Sequence, residues 1–332
     1  PDPTMSLHVA LTYDLRADYL AQGYDEETTA EFDSPETIAA LEAALVRRGC
    51  QVTRVGHLFN LVQRLACGER WDLALNIAEG LRGLAREAQI PALLEAYQIP
   101  CVFSDALTLA LTLDKALTKR VVRDAGLPTA TFAVLSTQAD LQRHGLSYPL
   151  FVKPLAEGTG KGISAASHVN HDIELEAICQ TLWARYHQPV LAETYLPGRE
   201  LTVGIIGTGA TATVLGVMEV IYQANAEAGG YTYANKEHYE DRVQYRLVSD
   251  PSAQQAAVVA LAAWQLLRCR DGGRVDLRAD AVGVAHFLEV NPLAGLHPVR
   301  SDLVILARLA GWSHTQLLDA ILDAAWQRLG LV

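Results

Sequence analysis

The sequence of 332 residues predicts an α/β fold, and three features support that prediction. Short apolar segments alternate with amphipathic helical segments over residues 1–104, which is typical of a parallel sheet. A glycine-rich loop lies between two apolar segments at 148–166. Residues 274–291 alternate between apolar and polar with a period of two on either side of a short turn, which indicates a β-hairpin.

The first part of the chain supplies the strands of the parallel sheet and the helices between them. Ser34, Pro35 and Glu36 provide an N-cap, a proline for the first turn and early negative charge, so a helix begins there and ends near Gly49. A further helix is predicted over 86–97. Strands are predicted at 7–12, 51–55, 71–76 and 99–103.

The middle of the chain predicts a β-hairpin flap between helices. Gly126 and Pro128 end the first of these helices. The predicted elements are a helix at 107–125, a strand at 148–154, a returning strand from Ser164, a helix at 172–186 and a strand at 189–193.

From Leu201 onward the chain is rich in strands, and helices are predicted over 251–269 and 314–329. Residues 223–243 are polar and aromatic, which is typical of a long connection that is either functional or disordered.

Composition excludes several classes of protein. The net charge of −11 argues against a general nucleic-acid binder, although it leaves room for a local basic pocket. The five cysteines are scattered and form no CxxC pair, which is typical of reduced thiols in a cytoplasmic protein. We expect no membrane association, because there is no signal peptide and no apolar run of membrane-spanning length.

The hairpin at 274–291 predicts a metal site. If its turn is centred on Val282 and Gly283, Asp276 faces Glu289 and Arg274 faces Asn291. Two carboxylates that face each other repel, and a divalent cation would compensate. Carboxylate and amide oxygens suit Mg²⁺, which commonly bridges such groups to phosphates. The alternative is the exposed polar face of an edge hairpin.

The glycine-rich loop predicts a phosphate-binding element. Its glycines let the backbone approach a ligand, and their N–H groups can cradle phosphate oxygens. Lys153, at the end of the preceding strand, is either a phosphate ligand or an exposed strand end. The spacing is not that of a Walker loop. The loop consists of Glu157, Gly158, Thr159, Gly160, Lys161 and Gly162.

Three other places carry candidate nucleotide ligands. Glu193 to Leu196 and then Glu200 follow an apolar strand and could meet an adenine and a ribose. Lys236 could act as a lid lysine within 223–243. Lys115 follows Asp114 within the predicted helix. Taken alone, the Asp114-Lys115 pair is more typical of solvated charges on a helix, the two glutamates are ordinary surface carboxylates, and Lys236 would be the lysine of a disordered loop.

In this order, the motifs resemble those of the ATP-grasp superfamily, and most of all its D-alanine–D-alanine ligase branch. The resemblance implies an ATP-grasp fold with an N-terminal Rossmann-like domain. It divides the chain into an N-terminal substrate domain at 1–104, a central domain at 105–192 and a C-terminal domain at 193–332. The motifs are Asp114-Lys115, Phe151-Val-Lys153-Pro154, Glu157 to Ser164, Glu193 to Leu196, Gly198-Arg-Glu200, Lys236, Gly273-Arg274-Val-Asp276 and Leu288-Glu289-Val-Asn291.

The resemblance also implies roles for these residues. Lys115 and Lys153 would contact the ATP phosphates, the 157–162 loop would cover them, and Lys236 would close from a lid. Arg274 would stabilise the transition state. The adenine would be held by Glu193, Thr194, Tyr195 and Leu196, the ribose by Glu200, and two Mg²⁺ ions (or Mn²⁺ as an alternative) by Asp276, Glu289 and Asn291.

The reaction implied by the family has two steps. A carboxylate attacks the γ-phosphate of ATP and gives an acyl phosphate, and an amine then displaces phosphate to form an amide. Phosphoryl transfer depends mainly on positioning and charge neutralisation, which lysines and metal ions supply. The expected partners are therefore small amino-acid, carboxylate or amine substrates, and the resemblance adds the expectation of a homodimer.

Departures from the family fall on substrate-facing positions. Either Glu31 or Glu27 would hold the amine of the first substrate, and we prefer Glu31. Thr159 stands where a loop serine is usual, and Glu237 stands where a lid tyrosine is usual. A carboxylate of the second substrate would be gripped by residues after the hairpin, with Arg300, Ser301 and His297 as candidates.

These departures leave three functional hypotheses. The first is a D-alanine–D-alanine ligase-like carboxylate–amine ligase. The second is a ligase of the same fold that acts on another amino acid, a dipeptide or a natural-product precursor. The third is a non-catalytic nucleotide-binding module, which the presence of Arg274 and the three metal-ligand candidates disfavours.

Overall fold

The structure is a computed structural model that describes residues 6–223, 225–226 and 239–331. It contains three β-sheets with helices packed against them, which confirms the predicted α/β class.

The first sheet is parallel, as the alternation of strands and helices predicts. Its strand order is β2-β1-β3-β4, and Val9, Ala10 and Leu11 of β1 are fully buried because helices cover both faces. The strands are β1 (His8–Thr12), β2 (Gln51–Gly56), β3 (Leu73–Asn76) and β4 (Cys101–Val102).

The helices around this sheet include two that the sequence analysis did not predict, α1 and α3. The helix predicted after Ser34 is present as α2, with Pro35 as its first residue. A 3₁₀ turn at Arg86–Ala88 leads into α4, so the helix predicted over 86–97 is confirmed in outline. The helices are α1 (Arg16–Ala21), α2 (Pro35–Arg47), α3 (Leu58–Ala66) and α4 (Gln89–Ala96).

The second, central sheet is antiparallel and has the order β5-β8-β6-β7. Its returning strand after the glycine-rich loop begins at His168, so the prediction of a start at Ser164 is wrong. Ser164 instead caps a 3₁₀ turn at Ala165–Ser167, its hydroxyl accepting from the Ala166 N–H. The strands are β5 (Phe132–Leu135), β6 (Leu150–Pro154), β7 (His168–Val169) and β8 (Val190–Thr194).

The prediction of a single helix over 107–125 is also wrong, because the helix is interrupted at Asp114. Its backbone is extended, with φ −82° and ψ 98°, and its carboxylate accepts a hydrogen bond from the Leu117 N–H at 2.9 Å. Lys115 therefore lies at the first position of a new helix. The helices here are α5 (Ala106–Leu113), α6 (Lys115–Asp124), α7 (Gln138–Leu141) and α8 (Asp172–Tyr186).

The third, C-terminal sheet is antiparallel with the order β11-β10-β9-β12-β13. Trp264 and the alanines of the helix after β11 pack against this sheet and are buried. The strands are β9 (Glu200–Ile206), β10 (Thr213–Tyr222), β11 (Val243–Val248), β12 (Gly272–Ala279) and β13 (Ala285–Asn291). The helices are α9 (Tyr239–Arg242), α10 (Pro251–Leu266), α11 (Asp302–Leu309) and α12 (His314–Leu329). Across the described ranges, no helix is both long and apolar enough to cross a membrane.

The predicted register of the β12–β13 hairpin is confirmed where the candidate metal ligands lie. Asp276 pairs with Glu289, and Arg274 pairs with Asn291. The register then shifts at a β-bulge, so that Leu277 pairs with Phe287. Asp276 is on β12, an internal strand between β9 and β13, whereas Glu289 is on β13, an edge strand of this sheet.

Candidate active site

A cleft lies between the central sheet and the C-terminal sheet, and we call it the nucleotide cleft. Its floor comes from β6 and β8 on one side and from β9, β12 and β13 on the other. The bulged residue Leu288 and the side chain of Phe151 give it apolar walls. The predicted site residues that line it are Lys153, Gly160, Glu193, Thr194, Tyr195, Leu196, Glu200, Asp276 and Glu289.

Lys153 enters this cleft from β6 and is paired with a buried carboxylate. Its Nζ lies 2.9 Å from Glu193 Oε1, and the two side chains are 6% and 3% exposed. Glu193 Oε2 lies 2.8 Å from the Nζ of Lys119 on α6, a residue the sequence analysis did not select. Burial opposes ionisation of Glu193, but Lys119 and Lys153 outweigh it and lower the pKa of this carboxyl to about 2. Glu193 is therefore ionised and shared between two ammonium groups.

Glu200, the predicted ribose ligand, is held at the other end of the cleft. It accepts hydrogen bonds from the Tyr222 hydroxyl at 2.6 Å and from Arg278 at 3.2 Å. Arg278 also donates to the Tyr195 hydroxyl and lies over that ring at 5.2 Å from its centre. Arg278 is thus a further residue of the cleft wall, and Tyr222 is a hydrogen-bond partner of Glu200; neither was identified from the sequence.

The candidate metal ligands lie together at the inner end of the cleft. Asp276 accepts from the Thr202 hydroxyl at 2.8 Å, from the Asn291 amide at 3.2 Å and from the Arg274 guanidinium. The described residues hold no group of three or more His, Cys, Asp or Glu side chains suited to a metal. The set of two carboxylates and one amide nevertheless fits Mg²⁺, because all three offer hard oxygen ligands.

Two cations lie against these carboxylates. Lys115 Nζ is 3.4 Å from Glu289 Oε2 and donates to the Glu157 carbonyl. Arg274 Nη2 is 3.7 Å from Asp302 Oδ2, and the Arg274 side chain is 11% exposed. Burial lowers the pKa of Arg274, but the charges of Asp276 and Asp302 outweigh burial and raise this pKa above its usual value. The guanidinium therefore stays charged. Positive charge is therefore concentrated at the inner end of the nucleotide cleft.

A second cavity, which we call the substrate cavity, adjoins the cleft, and Glu289 lines both. It lies between residues 30–37 of the N-terminal region and the segment 290–302 after β13. The predicted site residues that line it are Glu31, Lys115, Glu157, Gly158, Thr159, Arg274, Glu289, Asn291, His297, Arg300 and Ser301.

Glu31 belongs to a buried group of four charges that we call the flap ion cluster: Glu31, Arg86, Glu157 and Lys161. Lys161 Nζ lies 2.6 Å from both carboxylates, and Arg86 lies 3.2 Å from Glu31. Arg86 also donates to the Ala156 carbonyl at 2.8 Å. Burial raises the pKa of Glu31, but Lys161 and Arg86 outweigh it and lower this pKa to about 2.

The flap ion cluster brings the glycine-rich loop against the N-terminal region. A Cβ added at Gly158 would lie 2.1 Å from Glu31 Oε1, so only glycine fits this contact. Gly162 has φ 74° and packs against Pro154 in the same way. Glu27 lies elsewhere, accepting from Tyr186 and Arg185, and it does not line the substrate cavity. Of the two acids considered, only Glu31 faces the predicted place of the first substrate.

The loop after β13 is fixed by its own hydrogen bonds. Ser301 Oγ accepts from the His297 N–H at 2.9 Å, and His297 Nδ1 accepts from the N–H groups of Val299 and Arg300. Burial and the charge of Arg300 lower the pKa of His297, which favours a neutral ring at pH 7. Arg300 is exposed and is the cation of this loop that faces the cavity.

Besides Asp302, the substrate cavity holds three carboxylates outside the predicted set. Burial raises the pKa of Asp33 to about 8 and that of Glu87 to about 7, and it raises the pKa of Glu79 well above its usual range. Lys236 and Glu237, by contrast, lie outside the residues that the structure describes, as does most of the 223–243 connection.

ATP-grasp enzymes hold a nucleotide between two antiparallel sheets that face each other across a lysine-lined cleft. The chain is a protein of that class. A family model described as the C-terminal domain of D-Ala–D-Ala ligases matches residues 121–323, more than half of the chain. The D-alanine–D-alanine ligase of Bordetella petrii is 35% identical over 280 residues, which cover 81% of each protein.

Solved structures show the same fold. The D-alanine–D-alanine ligase of Bacillus anthracis, complexed with ATP, aligns with a TM-score of 0.74 at 21% identity over 98% of this chain and 99% of that one. The VanG D-Ala:D-Ser ligase of Enterococcus faecalis aligns with a TM-score of 0.73 at 17% identity over 97% and 100%. The chain belongs to the D-alanine–D-alanine ligase family and is an ATP-dependent ligase that forms C–N bonds.

Proposed function

We propose that the enzyme joins the carboxylate of one amino acid to the amine of a second through an acyl phosphate. The observation that carries this proposal is that the nucleotide cleft and the substrate cavity meet at Glu289, with Lys115 and Arg274 beside it. A carboxylate in the substrate cavity thus lies next to the place where the γ-phosphate of ATP would be bound.

In the first step an oxygen of the substrate carboxylate attacks the γ-phosphorus, and ADP leaves. Lys153 and Lys115 would neutralise the phosphate oxygens, since both ammonium groups are held in place by buried carboxylates or carbonyls. In the second step the amine nitrogen attacks the acyl carbon. Phosphate then leaves with one oxygen of the original carboxylate, and the nitrogen loses a proton.

We propose that Asp276, Glu289 and Asn291 hold Mg²⁺ here. When bound, the ion would neutralise phosphate charge. Arg274 would then bind the oxygens of the departing phosphate, because its guanidinium is buried, charged and held by Asp276 and Asp302. Lys236 would close over the nucleotide from the 223–243 connection.

D-Alanine is the first substrate to test, because the curated relatives and structural neighbours are named for it. The same-fold alternative, a different amino-acid substrate, is favoured by Asp33, Glu79 and Glu87 in the substrate cavity. These carboxyls have no hydrogen bond or ion pair to their side chains within the described part of the chain, and burial raises their pKa values. A substrate with a basic side chain would stabilise their ionised forms by pairing with them.

The experiment is a screen for phosphate release with ATP, Mg²⁺ and single D- and L-amino acids or pairs of them, followed by product mass. We expect a product whose mass equals the sum of two substrates minus water. Arg274→Met should abolish it, whereas Arg120→Met, an exposed arginine on α6, should not. Nucleotide binding without any product across broad pools of amino acids and short peptides would contradict the proposal.

By family, we also propose a homodimer and the domain division at residues 104 and 192. Light scattering after size-exclusion chromatography tests the dimer, and a mass near the monomer value of 36.1 kDa would contradict it.

A further inference from the structure

Lys119 is a fully buried lysine, 0% exposed, that lines neither the nucleotide cleft nor the substrate cavity. It lies behind the cleft on α6, one helical turn after Lys115. Its Nζ is 2.8 Å from Glu193 Oε2, and it donates to the Thr129 hydroxyl at 3.0 Å and to the Phe287 carbonyl at 3.1 Å. A buried ammonium is costly unless its donors are all satisfied, and these three acceptors satisfy it.

The net charge that faces the nucleotide depends on the sharing of Glu193 between Lys119 and Lys153. Burial lowers the pKa of Lys119, and the ion pair with Glu193 opposes that shift. With both lysines protonated and Glu193 ionised, the three groups together carry one positive charge. Without Lys119, the Glu193 carboxylate would cancel the charge of Lys153. In a buried site this difference is felt strongly, because little water screens it.

The same ammonium also links the two sides of the cleft. Its bond to the Phe287 carbonyl reaches β13 two residues before Glu289, while its ion pair with Glu193 reaches β8, beside Lys153 on β6. The Thr129 hydroxyl donates to the same carbonyl at 2.8 Å. Loss of the ammonium would therefore leave the Phe287 carbonyl with a hydrogen-bond partner.

We propose that Lys119 is a positioning residue that neutralises Glu193 from behind the cleft, so that Lys153 keeps its positive charge for the phosphates of the nucleotide. The proposal rests on the proposed function only in taking ATP as the ligand of this cleft. In this proposal Glu193 pairs with the two lysines in addition to making the predicted contact with adenine.

The test measures binding rather than turnover, so that it remains informative if the amino-acid substrates are still unknown. Binding of ADP with Mg²⁺ is followed by calorimetry, and inorganic tripolyphosphate serves as a competitor that has no base. For Lys119→Met we expect both ligands to bind weaker by roughly ten-fold or more, the effect of one lost charge near the phosphates. Arg120→Met, the neighbouring exposed residue, is the matched control and should bind as wild type does.

Charge rescue distinguishes this role from a purely structural one. In Lys119→Met/Glu193→Gln the uncompensated carboxylate is gone, so tripolyphosphate should again compete nearly as well as with wild type. Lys119→Arg keeps the charge and should also retain binding. Thermal unfolding confirms that each variant is folded.

Three results would overturn the proposal. One is unchanged tripolyphosphate binding in folded Lys119→Met, and another is a double variant that is no better than Lys119→Met alone. If Lys119→Met does not fold, the single variant Glu193→Gln tests the proposal in its place. The proposal expects tighter tripolyphosphate binding with a steeper salt dependence, and weaker binding would refute it. Absence of ligation by the wild-type enzyme would instead count against the proposed function and would leave these binding results standing.

Discussion

Replacing Lys161 by methionine should open the flap ion cluster. The ammonium lies 2.6 Å from Glu31 and 2.6 Å from Glu157, and the three side chains are 7%, 8% and 14% exposed. Removing one partner of a buried ion pair costs about 3–5 kcal/mol. Because Arg86 remains 3.2 Å from Glu31 and 3.9 Å from Glu157, we expect a smaller loss, about 2 kcal/mol of unfolding free energy.

The pH dependence of that loss follows from the pKa of Glu31. Burial raises this pKa, but Lys161 and Arg86 lower it from 4.5 to about 2. The ionised carboxylate therefore stabilises the fold above the unfolded pKa, and this contribution disappears as the pH falls from 4.5 through 2. The difference between wild type and Lys161→Met should be full at pH 7 and should shrink at acid pH.

The assay is urea unfolding of wild type, Lys161→Met, Glu31→Gln and the double variant. Since the two residues contact each other, the double variant should lose less than the sum of the single losses. In turnover, the variant should release more phosphate per amide, because a loosened glycine loop admits water to the acyl phosphate. Additive losses, or a loss below about 0.5 kcal/mol for Lys161→Met, would refute the description of this cluster.

Three other substitutions give separate checks. Gly158→Ala should raise the KM for ATP and the unproductive phosphate release, because its Cβ would lie 2.1 Å from Glu31 Oε1; unchanged kinetics would contradict that contact. Asp33→Asn should raise the melting temperature at pH 8 more than at pH 5. Burial lifts the pKa of Asp33 from 3.8 to about 8, so the folded state loses stability as the pH rises through that range. Arg274→Lys should lower kcat by roughly a hundred-fold with little change in nucleotide affinity, since one ammonium cannot replace a bidentate guanidinium; an equal loss of ADP binding would assign Arg274 to ground-state binding instead.

Features that depend on residues close together in the chain could be predicted from the sequence. The register that sets Asp276 opposite Glu289 follows from period-two alternation about a tight turn, and the structure confirms it. The break at Asp114 was missed because the residues on both sides favour a helix. The only signal was an aspartate suited to cap a new helix, and it does so.

Features that depend on distant parts of the chain could not be predicted. Arg86 meets Glu31 across 55 positions, and Lys119 meets Phe287 across 168. No local pattern indicates either contact. For Lys119 one signal existed, because its spacing of four from Lys115 places both lysines on one face of α6. Of Glu31 and Glu27, only Glu31 lines the substrate cavity, and its contact with a substrate amine stays a prediction.

The central claim is that a substrate carboxylate is activated by direct transfer of the γ-phosphoryl group of ATP. It is tested most directly with an amino-acid substrate whose carboxylate carries ¹⁸O, in a reaction that forms the amide. The account predicts ADP as the nucleotide product and one ¹⁸O atom in each inorganic phosphate released. Unlabelled phosphate, or AMP with pyrophosphate in place of ADP, would contradict it.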